Sequence, residues 1–221
     1  SVPVVVGLLI IAFVVREQPK PIEDAARPPN LSLKGFDPNF KRFLVVIAIF
    51  TLSNSTDAFL LLRASDAGIS PVVLPLLWMT LHFSKVVSSL VGGDLSDRLG
   101  RKTLIIAGWV IYAFVYVGFA FVSSAWQCWL LFIIYGMYFG LTEGVEKAFV
   151  ADMVPEEKRG TAYGLYNLAF GITVFPASLI FGLIWSQYGA QAAFLISSAV
   201  SVLSIILLTT VKSAKDVSVT S

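Results

Sequence analysis

A helix that crosses a bilayer needs about 20 mostly apolar residues at 1.5 Å rise each. This sequence holds six stretches of that kind, at about 42–63, 71–92, 103–123, 127–150, 161–185 and 190–211. A chain carrying them has few ways to fold, because helices and closed barrels alone satisfy their backbone in lipid. Composition agrees. Residues AVILMFWYC make up 57% and charged residues 14%, against about 25% charged in a soluble domain. Mean hydropathy is +0.81. These values exclude a disordered chain, and a net charge of +2 gives no reason to expect a nucleic-acid partner. Cys128 is the single cysteine, so no disulfide forms within the chain. The expected class is an all-α integral membrane protein of six helices. A seventh apolar run, residues 1–15, is too short to span and lacks the layout of a signal peptide. It reads as the end of a truncated helix.

Basic residues orient the spans. Arg16, Lys20, Arg27, Lys34, Lys41 and Arg42 precede the first, Arg98, Arg101 and Lys102 follow the second, Lys158 and Arg159 the fourth, and Lys212 and Lys215 the sixth. The opposite loops hold Arg63. The positive-inside rule places the basic side, and with it the C-terminus, in the cytoplasm of a plasma (inner) membrane. Residues 16–41 hold Pro19, Pro21, Pro28, Pro29 and Pro38 among mixed charges and read as a flexible cytoplasmic linker. The expected layout is a truncated helix at 1–15, a linker at 16–41, a six-helix domain at 42–211 and a cytoplasmic tail at 212–221. The Asn30 and Asn54 sequons fall in the linker and in a span, so neither is expected to carry glycan.

Ionisable groups within spans face an interior or a wet cavity. Span one holds Asn54 and Asp57, span two His82 and Lys85, span four Glu143, Glu146 and Lys147, and span five Asn167. Spans three and six carry no charge and are expected to face lipid. At helical rise, Lys85 lies about 12 Å from Gly93, and Glu143 roughly 13–14 Å from Asp152, so the two share a level. They read either as a permanent interhelical salt bridge or as a pair that opens, leaving Glu143 to take up a proton. Lys147 is four residues after Glu143, the spacing of a helical ion pair, and is also placed to snorkel to the surface. Asp57 either lines a cavity or pairs with Arg63; His82 either lines a cavity or bonds a neighbouring helix. Gly136, Gly140 and Gly144 form a small-residue stripe beside Glu143. Pro176 is expected to kink span five.

The loop after span two runs Gly93-Asp94-Leu95-Ser96-Asp97-Arg98-Leu99-Gly100-Arg101-Lys102. It resembles the G-x-L-x-D-R-x-G-R-K signature of the major facilitator superfamily, with Gly93, Asp97, Arg98, Gly100, Arg101 and Lys102 all matching. The loop after span four contains Asp152, Pro155, Arg159 and Gly160 and resembles the P-E-x-x-R-G turn between the fourth and fifth helices of a facilitator half. There Gly160 would permit close backbone approach. A truncated helix followed by a long linker resembles the join between helices six and seven, which would make the six spans helices seven to twelve. The resemblance implies a secondary transporter that moves a small solute by alternating access, with protons as the coupling ion. Asn54, Asp57, His82, Lys85, Glu143, Lys147 and Asn167 would line the cavity. Asp97 and its basic neighbours would latch the two halves at the cytoplasmic face.

The expected partners are the bilayer, the solute, protons and the missing N-terminal half. A self-sufficient six-helix homodimer is the architectural alternative. A membrane enzyme lacks a nucleophile placed with a base, and one histidine with one distant cysteine makes no metal pattern, so neither catalysis nor a cofactor is expected. A channel filter is not evident.

Overall fold

The computed structural model describes residues 32–212. The expected truncated helix at 1–15, the first part of the linker with Asn30, and most of the tail lie outside them. The described elements are helices α1 (Pro38–Ser53), α2 (Ala58–Asp66), α3 (Leu74–Leu99), α4 (Arg101–Phe121) and α5 (Ala125–Asp152), a short 3-10 turn (Glu156–Lys158), and α6 (Arg159–Thr209). At 51 residues, α6 would be about 76 Å long if straight, more than twice the ~30 Å hydrocarbon core. It is two helices that meet at Gly189, whose φ of 85° and ψ of 166° leave the helical region. Glycine alone reaches that conformation without strain. Its limbs, 159–188 and 190–209, correspond to spans five and six. Pro176 keeps a helical backbone, so the break lies at Gly189 and not at the proline. The first span is interrupted instead, between α1 and α2.

Packing follows side-chain size. α3 lies along α5, α1 along α6, and α4 between α5 and α6. The charge-free third span was expected to face lipid. In the structure α4 carries the aromatic centre of the bundle: Trp109, Tyr112, Tyr116 and Phe119 are fully buried on one face. Phe50 of α1 stacks on Trp109, with centroids 4.0 Å apart and planes 4° from parallel. Such pairs add about 0.5–1.5 kcal/mol beyond area burial. The outward strip of α4 includes Phe114 and Phe121. α3, rich in polar groups, is the more exposed helix, with Met79, Phe83 and Leu90 turned out. α4 thus turns its tyrosines into this bundle, where their hydroxyls find partners, and an apolar strip outward.

Residues 32–41, read above as linker, are packed against the bundle. Phe36 and Phe40 are buried, the Asp37 carboxylate accepts from Asn39 N at 2.6 Å, and Lys158 Nζ donates to Gly35 O at 2.6 Å. Asn39 and Lys212 exchange two hydrogen bonds, Nδ2 to Lys212 O at 2.7 Å and Lys212 N to Oδ1 at 2.8 Å. Arg42 reaches Thr210 O, and Lys102 reaches Thr209 O and Val211 O. Cations thus sit on the final carbonyls of α6, where the helix dipole favours them.

The glycine stripe of α5 divides by role. A Cβ on Gly140 would lie 2.7 Å from Ser89 N and 2.8 Å from Lys85 O, and one on Gly136 would meet Leu81 O at 2.6 Å; around Gly144 nothing lies within 4 Å. Gly136 and Gly140 let α3 and α5 touch backbone to backbone. Gly140→Ala is expected to lower unfolding stability by about 1–3 kcal/mol through overpacking, and Gly144→Ala to be neutral or slightly stabilising. Thermal unfolding of the purified full-length protein in detergent measures both, and equal losses would contradict this packing.

Candidate functional site

The interruption of span one organises the end of the bundle away from the basic residues. α1 ends on Asn54, whose φ of −93° and ψ of 99° are extended, and the chain becomes helical again at Ala58. Non-helical backbone at membrane depth persists only where protein or a wet cavity satisfies it. Here neighbouring spans supply the partners. Tyr112 donates to Ser53 O at 2.7 Å, Ser55 and Tyr116 share a hydrogen bond at 3.2 Å, and Thr56 N donates to Ser178 Oγ at 3.2 Å. Asp57 does not cap its own helix; its carboxylate accepts from Tyr135 OH at 2.9 Å. The Asp57–Arg63 alternative is not what the structure shows. Arg63 donates to Phe119 O and Val122 O at the end of α4.

Toward the basic end, the level shared by Lys85 and Glu143 brings them together. Lys85 Nζ lies 2.6 Å from Glu143 Oε2, and Lys147 Nζ lies 3.7 Å from Oε1. Lys85 also sits 4.8 Å from the ring centre of Phe139. These side chains remain a third to a half exposed. They form a wall common to two hollows, one of about 560 Å³ reaching Gly93, Asp97 and Arg101, the other of about 270 Å³ reaching Asn54, Tyr166 and Asn167. A third hollow of about 220 Å³ lies at the helix break, lined by Asn54 and Asp57. His82 is exposed, stands edge-on to Trp78 with centroids 5.1 Å apart, and lines none of these three hollows.

The signature loop is a tight helix-to-helix corner. Gly100 has φ of 90° and separates α3 from α4. Arg101 bonds Ala148 O at 2.5 Å and Asp152 Oδ1 at 2.6 Å, tying the corner to the end of α5. Arg98 pairs with Asp94 one turn earlier. Asp97 is exposed and has no ion pair among the described residues. Pro155 precedes the 3-10 turn, Arg159 opens α6, and nothing lies within 4 Å of a Cβ on Gly160. The close approach expected at Gly160 is therefore absent among the described residues.

Sequence reasoning left one centre out of the candidate site. Glu146 is 8% exposed and accepts from Trp109 Nε1 at 3.0 Å and Tyr166 OH at 2.6 Å. Its spacing of three from Glu143 was a usable signal. Trp109 and Tyr166 lie on other spans, where no local pattern marks them.

The bundle thus sets an ion pair on the wall of its hollows and a basic corner after its second span. The Major Facilitator Superfamily profile matches residues 40–220, and the chain belongs to that family as an integral, multi-pass membrane protein. An uncharacterised MFS-type transporter of Methanocaldococcus jannaschii is 34% identical over 209 residues, covering 90% of this chain and 51% of the relative. A Na(+), Li(+), K(+)/H(+) antiporter of Planococcus maritimus is 27% identical over 108 residues, covering 47% of this chain and 26% of the relative. An auto-inhibited POT family peptide transporter matches in fold with a TM-score of 0.61 and 17% identity, over 78% of this chain and 37% of that one. The chain spans about half the length of the archaeal relative.

Arg101→Gln and Asp152→Asn are each expected to lower the unfolding temperature, while the double variant loses less than the sum. For a half-exposed pair the coupling is on the order of 1 kcal/mol. Strictly additive losses would contradict the tie.

Proposed function

We propose that the whole protein is a secondary active transporter that moves a small solute across the plasma (inner) membrane by alternating access. This chain would supply the second six-helix half, with its C-terminus in the cytoplasm and another half facing the exposed surfaces of α3 and α5. Residues 1–15 would end helix six, 16–31 would form the cytoplasmic linker, and the six-helix domain would begin near residue 32.

The observation that carries this reading is the Lys85–Glu143 pair on the wall shared by two hollows. The pair joins α3 to α5 where the two hollows meet, which is where alternating access needs a contact that makes and breaks. In the proposed cycle Lys85 leaves Glu143 in one conformation, and Glu143 then takes up a proton. Lys147, Asn54, Asp57 and Asn167 line the path, and His82 faces outward toward the other half. Asp97, unpaired within the described residues, would latch to a basic group of that half, while Arg101 and Lys102 hold the corner. The antiporter relative's name pairs its cations with H(+), which favours protons as the coupling ion.

The test uses the full-length protein in proteoliposomes, with a solute first found by a transport screen. Glu143→Gln is expected to retain solute exchange at equal concentrations and to lose gradient-driven accumulation by about tenfold or more, in the usual range of coupling energies. Accumulation with unchanged dependence on the pH gradient would sink the coupling role.

A further inference from the structure

The proposed cycle uses Glu143 and leaves Glu146 without a task. Glu146 is the more unusual group. It is over nine-tenths buried, and no base lies within ion-pair distance among the described residues. Glu143, by contrast, has two ammonium groups. A buried, unpaired carboxylate charge is costly, and hydrogen bonds offset that only in part. The surrounding groups are Lys147, Glu143 and Tyr138 on α5 and Tyr166 on α6. Asn54 of α1 and Lys85 of α3 lie across the same hollow, and α4 presents the indole of Trp109.

The two donors differ chemically. Indole N–H only donates, so Trp109 holds Oε1 as an acceptor in every state. A tyrosine hydroxyl donates or accepts, so its bond to Oε2 survives protonation by reversing. Tyr166 also lines the 270 Å³ hollow. We propose that Glu146 is a second proton-binding group of this half, loaded at Oε2 through Tyr166. A proton from the hollow adds to the Tyr166 oxygen as the hydroxyl's own proton moves to Oε2. Tyr166 ends neutral as it began, the carboxylate becomes a neutral acid, and the hydrogen bond now points from Glu146 to Tyr166. The joint between α4, α5 and α6 keeps both bonds. What changes is charge: Lys85 and Lys147 lose one anion near Glu143.

This inference rests on proton coupling, but its test needs neither solute nor gradient. Full-length protein in lipid is titrated with acid, and the C=O stretch of protonated carboxyl groups is read by infrared difference spectroscopy. A band present in the unsubstituted protein should be lost in Glu146→Gln and kept in Glu143→Gln. The Gln amide can still accept from Trp109 and donate to Tyr166, which favours folding. Should that variant fail to fold, Tyr166→Phe serves: removing the bond to Oε2 should move the same band to higher frequency. A spectrum unchanged by Glu146→Gln, or a band unmoved by Tyr166→Phe, overturns the proposal and leaves the Lys85–Glu143 reading standing.

Discussion

In lipid, every backbone N–H and C=O must find its partner inside the protein, and each failure costs several kcal/mol. The described fold obeys this nearly everywhere by staying helical, and its one long departure shows how costly departure is. At Asn54–Asp57 the helix stops within a span, and Tyr112, Tyr116, Tyr135 and Ser178 converge on the residues of the gap. That convergence explains why α4, without a single charge between Thr103 and Phe121, lies at the centre of the bundle. Its tyrosines hold the break in place; Tyr112 stacks with Tyr116 and meets Phe50 of α1 edge-on.

The same scarcity of water governs the charged groups, which are treated in three ways. Asp57 is held by a tyrosine, Glu146 by a tyrosine and an indole, and Glu143 by two ammonium groups. Only the last arrangement is substantially open to the hollows. Two carboxylates three residues apart on α5 are thus held by different kinds of partner. The close backbone approach at Gly140 brings α3 and its Lys85 up to this stretch of α5.

Hydropathy made the spans legible, because length and apolarity are properties of a single segment. The level match between Lys85 and Glu143 was also legible, since helical rise converts residue number to depth. The break in span one was not: Ile47 to Leu62 is apolar enough to read through, and what permits the gap comes from other helices. Glu146's partners were hidden for the same reason. Residues 32–41 looked like linker because prolines and charges dominate the composition of 16–41, yet Phe36 and Phe40 anchor them. The signature corner was readable in residue type, while the partners of Arg101 and Lys102, at the ends of α5 and α6, were not.

The proposed cycle requires the Lys85–Glu143 contact to open. Solid-state NMR of isotope-labelled full-length protein in lipid can read the dipolar coupling between Lys85 Nζ and Glu143 Cδ across a pH series. The account predicts strong coupling near neutral pH that fades on acidification as Glu143 is protonated and Lys85 moves away. Coupling of constant strength across the series would mean a permanent structural bridge and would contradict it.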